Sequence, residues 1–160
     1  MLFERGTPLR TGVKEMHYVL GVTILLMTLA RLAHRFGRTR HAPEITPPLP
    51  APQALAATAM HGLLYAVLIA LPVMGWLTVS ALGDPMPIAF GLEIPALIAP
   101  NEELGEWLEE QHSFVGDVLY LLIIGHAVAA LAHHYLRRDT TLIRMLPERG
   151  PLASTDQPAE

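Results

Sequence analysis

The stretch HSFVGDVLYLLIIGHAVAALAHH, residues 112–134, decides the architecture. From Val118 to Ala132 it carries no charged residue. A run of this length and apolarity reads as a membrane-spanning helix. His112 and His126 stand fourteen residues apart within it. Fourteen helical steps turn through about 1,400°, four turns less about 40°, so the two imidazoles share a face. They rise about 21 Å apart, most of the ~30 Å hydrocarbon core of a bilayer. Polar rings at such depths are costly unless they face the bundle interior and find a partner. Two of them on one face predict two metal or cofactor centres near opposite membrane surfaces.

The rest of the chain agrees with a membrane setting. Of 160 residues, 51% are hydrophobic and only 16% charged, where soluble domains carry about 25% charge. There is no cysteine, which excludes disulfides, thiolate metal sites and iron–sulfur clusters. The fold class expected is all-α, an integral membrane helical bundle, and no nucleic-acid partner is expected.

Three spans are predicted, at about residues 16–33, 59–82 and 111–135. The first is short for a span, and Arg31 must snorkel to the interface. Pro72 should kink the second. Residues 36–58 hold Pro43, Pro47, Pro48, Pro50 and Pro52 and read as an extended polar connection. Residues 83–110 form a longer connection ending in NEELGEWLEEQ. That segment reads as a short interfacial helix, with Asn101 as N-cap and Glu102 and Glu103 in the first turn. Residues 1–147 form the transmembrane domain, and residues 148–160 are expected to be a disordered tail.

Charge sets the orientation. Arg31, Arg35, Arg38 and Arg40 follow the first span, and Arg137, Arg138, Arg144 and Arg149 follow the third, with no Lys or Arg between the two groups. The loop from Gly83 to Gln111 carries Asp84, Glu93, Glu102, Glu103, Glu106, Glu109 and Glu110. The positive-inside rule puts both basic regions in the cytoplasm and the acidic loop outside. In a bacterium this is a multi-pass inner-membrane protein with a cytoplasmic C-terminus. The segment Met1–Glu15 then lies outside although it carries Arg5, Arg10 and Lys14, which suggests a further span upstream.

The first and third spans run in the same direction. His17 opens one and His112 the other, and each is followed by a glycine four residues on, Gly21 and Gly116. Positions i and i+4 share a helix face, so each glycine leaves room for a flat macrocycle beside the ring. The matched pair reads as two axial ligands of one b-type heme. His126 lies deeper, toward the cytoplasm. His61 opens the oppositely directed second span at that depth, so His61 either pairs with His126 or hydrogen-bonds a propionate, a quinone or a carbonyl. His133 and His134 read as interfacial anchors, His34 and His41 as solvated groups. Asp117 is equally a functional carboxylate or an interfacial one.

At GHAVAALAHHYLRRDTTLIRMLP, residues 125–147, the chain resembles the C-terminal signature of the bacterial cytochrome b561 family. MHYVLGVTILLMTLARLAHR, HGLLYAVLIALPVMGWL and the AFGLEIP loop follow in the family's order. The resemblance covers roughly residues 5–147 and extends to the cytochrome b subunits of nickel hydrogenases and formate dehydrogenases. It implies a four-helix bundle, of which three helices are seen here, binding two hemes through four histidines. By motif, His17 resembles the ligand of the family's second helix, and His112 and His126 those of its fourth. These three are the metal ligands the resemblance assigns. His61 matches a third-helix histidine that is not normally a ligand. The remaining family ligand lies in a first helix that this sequence is expected to lack.

The function expected is that of a membrane b-type cytochrome of the respiratory chain. It carries electrons through bis-histidine heme b, to or from a quinone, as in relatives that resemble a superoxide:ubiquinone oxidoreductase. A heme-binding anchor subunit for a dehydrogenase or hydrogenase, with a redox partner protein, is the second reading. A non-heme structural or metal-binding bundle is the third. The acidic outer loop opposes superoxide unless Arg5, Arg10 and Lys14 form an attractive funnel.

Overall fold

A computed structural model describes residues 7–37, 48–88 and 92–139. They form three long helices: α1 (Pro8–Gly37), α2 (Ala51–Leu82) and α3 (Glu102–Ala132). A π-helical turn over His133–Arg137 follows α3 directly. Each helix is long and apolar enough to cross a membrane, and no β-sheet forms among the described residues.

The helices outrun the predicted spans. α1 begins at Pro8, eight residues before the apolar run, because proline is tolerated in a first turn and Arg10 and Lys14 are fair helix formers. α2 begins at Ala51, inside the segment expected to be extended. Pro50 is its N-cap and Pro52 falls in the first turn, where a missing N–H costs nothing. The expected interfacial helix is not separate from the third span: residues 102–132 are one helix. The cap prediction holds, since the Asn101 side chain accepts a hydrogen bond from Leu104 N at 3.0 Å. The tail, most of the proline-rich connection including His41, and the AFG part of the AFGLEIP loop lie outside the described residues.

α2 is the shared partner of α1 and α3 and packs more extensively on α3. Tyr18 of α1 is buried against Val79 and Met86, flanked by Val22, Trp76 and Ile94. At the other interface α3 crosses α2 at Gly105, where an added Cβ would meet Leu82 Cδ2 at 2.6 Å and Leu82 N at 3.1 Å. Little else is enclosed. Leu26, Met27, Tyr120, Leu121, Ile124 and Val128 all stand exposed. Such apolar surface is unstable in water and at rest in lipid.

The connection from α2 to α3 is tied down by backbone groups. Gly83 ends α2 in the left-handed region at φ 71°, a conformation that favours glycine, and Asp84 N returns to Val79 O at 3.1 Å. Trp76 Nε1 donates to Pro95 O at 2.9 Å, Leu97 N to Ser80 Oγ at 3.0 Å and Asn101 N to Ala81 O at 2.8 Å. The acidic loop is thereby strapped over one end of the bundle.

Candidate functional site

The fold brings four histidines together in two pairs. His17 of α1 faces His112 of α3, ring centres 5.9 Å apart and planes at 78°. His61 of α2 faces His126 of α3, ring centres 5.2 Å apart and planes at 74°. An imidazole nitrogen lies about 2 Å from a metal it ligates, so two rings on opposite sides of one metal have centres about 6 Å apart. The His17–His112 pair falls at that separation, and the His61–His126 pair is shorter, at 5.2 Å. No group of three or more potential metal-ligating side chains occurs among the described residues, so a metal bound at either pair takes its remaining ligands from elsewhere, as a macrocycle provides.

Space is available beside the rings. A Cβ added at Gly21 or at Gly116 would meet nothing within 4 Å, and the same holds at Gly62 and Gly125, the immediate neighbours of His61 and His126. One ring is closely backed. A Cβ at Gly75 of α2 would lie 2.9 Å from His112 Cε1. The His112 Nδ1 atom is buried and makes no hydrogen bond. Paired rings, open flanks and a nitrogen without a protein partner suit a flat metal complex better than they suit a packed core, in which polar atoms are satisfied.

A family model described as prokaryotic cytochrome b561 matches residues 1–148. The chain belongs to the prokaryotic cytochrome b561 family. It is 34% identical over 149 residues to cytochrome b561 homolog 1 of Escherichia coli, covering 92% of this chain and 82% of that one. It is 34% identical over 137 residues to the probable superoxide oxidase CybB of Yersinia pestis, covering 86% and 76%. Cytochrome b562 of Cereibacter sphaeroides is 28% identical over 134 residues, covering 84% and 68%. Membership makes this a multi-pass membrane protein of b-type cytochrome character, and it implies b-type heme.

Other predicted residues of this b561 chain fall outside the pairs. Asp117 is exposed on α3, and five helical steps turn it about 140° from His112. His34 is exposed at the end of α1. His133 is not a simple anchor: its Nδ1 lies 2.6 Å from Oδ2 of the buried Asp139. That contact closes the π-helical turn, together with Asp139 N donating to His133 O at 3.2 Å and Arg138 at φ 54°. Arg137 hydrogen-bonds Gln53 at the start of α2. These links hold the far ends of α2 and α3 together beyond the His61–His126 pair.

At the opposite end Lys14 Nζ lies 2.7 Å from Asp84 Oδ2 and 5.9 Å from the centre of the Tyr18 ring. The cationic funnel that would be needed to attract superoxide is weakened, because Lys14 is already paired with a carboxylate of the acidic loop. A pocket of about 320 Å³ lies beside it, lined by Trp76, Ser80, Asp84, Met86, Glu93 and Ile94 among others. Gly75, Asp84 and Asp139 were not singled out by sequence reasoning. For Gly75 the usable signal was a glycine inside an apolar helix three residues after Pro72. For the two aspartates there was none: Asp84 pairs with a lysine 70 residues away, and Asp139 folds back on His133 across a π-helical turn.

Proposed function

We propose that this b561 protein carries electrons across the inner membrane through two b-type heme sites on α3. The observation that carries the reading is the pair of facing imidazoles found twice, each built on α3 and about 21 Å apart along its axis. His17 and His112 would hold the heme of the outer site, with Gly21 and Gly116 leaving room for the ring system. His126 is a ligand of the inner site. Among the described residues, His61 is the histidine that faces it, as second ligand or as the group that orients what is bound there. Heme b, when bound, supplies one-electron chemistry, and ligation by two histidines leaves no open position for oxygen.

The orientation proposed follows the arginines. The C-terminal ends of α1 and α3 lie in the cytoplasm, and the acidic segment from Gly83 to Gln111, which includes the first turns of α3, lies outside. A quinone is the proposed small-molecule partner, since it accepts electrons within the lipid. The probable superoxide oxidase among the relatives makes superoxide a candidate donor. The acidic connection and the pairing of Lys14 with Asp84 disfavour an anion at the outer surface. A donor protein is the alternative source, which would make the chain an electron-carrying anchor subunit.

The purified chain should show a Soret band and a heme b α-band on reduction. Its absence would sink this reading. Quinone reduction driven by superoxide with the isolated protein would establish the anionic donor. Reduction only with a co-purifying dehydrogenase would establish the anchor role.

A further inference from the structure

His112 is the ring most closely held by its surroundings. α2 passes it at Gly75, and a Cβ built there would lie 2.9 Å from Cε1, 3.2 Å from Nδ1 and 3.7 Å from Nε2. These distances orient the ring: its Nδ1–Cε1–Nε2 side is turned to α2 at Gly75, with Cε1 nearest. Leu71, one helical turn before Gly75, brings its carbonyl to the same ring. Nδ1 is nonetheless buried without a hydrogen-bond partner in the protein. At Gly21, Gly62, Gly116 and Gly125 the absent side chain leaves empty space. At Gly75 that space is filled by an imidazole.

We infer that Gly75 is a positioning residue for the outer site, an inference that rests on the heme reading above. By lacking a side chain it lets α2 close on His112, so that the contact at Gly75 sets the orientation in which the imidazole would ligate. The same seat holds the His112 plane at 78° to that of His17. A ligating histidine depends on the outer contacts that fix its ring orientation, and loss of such support typically costs about 10–100-fold in metal affinity. Crossed planes also carry a spectroscopic consequence. Each imidazole donates density perpendicular to its own plane, so crossed rings act on two different iron d orbitals and leave them nearly equal in energy. An oxidised low-spin heme of that kind gives a strongly anisotropic low-field EPR signal, whereas parallel rings give a rhombic one. α2, which supplies no ligand to this site, thus sets its ligand orientation.

The test uses the full chain purified with its heme, as wild type, Gly75→Ala and Gly12→Ala. Gly12 is the control, since its added methyl meets nothing within 4 Å. The wild type should show a low-field anisotropic signal that His17→Ala removes. Gly75→Ala should shift that signal and the midpoint potential of the same site and weaken its heme retention about tenfold or more. The other site and the helical circular dichroism should stay as in wild type, as should every property of Gly12→Ala. Unchanged EPR and potential in Gly75→Ala overturn the inference. If Gly75→Ala fails to accumulate, the wild-type spectrum decides: a rhombic signal from the site lost in His17→Ala overturns it, and a low-field one supports it. A chain without a Soret band would instead overturn the heme reading, and this inference with it.

Discussion

Single side chains carry the chemistry here, and the two pairs should be separable by single substitutions. His112→Ala should remove one heme per chain and leave the other, measured as heme-to-protein ratio with the reduced-minus-oxidised spectrum. His126→Ala should remove the complementary component. His61→Ala should disturb the component lost in His126→Ala and spare the one lost in His112→Ala. Loss of both components from any one of these would show that the pairs are not independent sites. The Lys14–Asp84 contact is half-exposed on both sides, so Asp84→Asn should cost only about 0–1 kcal/mol. Its larger effect is expected on the charge of the outer surface, read as a change in how salt affects reduction by superoxide. Of these residues, His17 and His112 were legible because each carries a glycine at i+4 and parallel spans put them at one depth. Gly75 was illegible because a helical glycine names no partner, and its partner lies 37 residues away in sequence.

At the scale of elements, hydropathy marked the depth of the membrane and not the ends of the helices. The first apolar run starts near Met16, yet backbone hydrogen bonding continues back to Pro8. α3 likewise begins ten residues before His112, its first predicted ligand, because most residues from Glu102 to Gln111 are good helix formers and they follow an Asn cap. Asn101→Ala should therefore fray the acidic turns of α3 at a cost of about 1 kcal/mol, seen as faster amide exchange from Leu104 to Leu108. Gly105→Ala presses on the Leu82 backbone as well as its side chain. A loss of about 1–3 kcal/mol is expected, measured as a lower melting temperature in detergent. The proline-rich connection was misread near its end for a simple reason. Proline signals extended chain until it falls at an N-cap or first turn, where it starts a helix instead.

For the whole molecule, the orientation and the lipid-facing surface are the matters to test. The chain contains no cysteine, so single cysteines can be introduced on a clean background. A cysteine at Glu106 should be labelled from outside intact inner-membrane vesicles of right-side-out orientation, and one at Phe36 only after the membrane is opened. The reverse pattern would invert the topology. The three-helix architecture was legible because three long apolar runs leave few arrangements. What was not legible is how the middle helix serves both neighbours, since that depends on which of its faces carries Gly75 and which carries Val79. A further consequence follows from α3 being one unbroken helix that carries a histidine of each pair. The gap between the two centres is not continuously adjustable. Adding one residue between them would lengthen the gap by only about 1.5 Å but swing one imidazole about 100° out of line. Only additions near whole turns keep both rings aimed inward. The spacing of the two histidine pairs can therefore change only in steps, and the fourteen-residue interval is one of the few settings permitted.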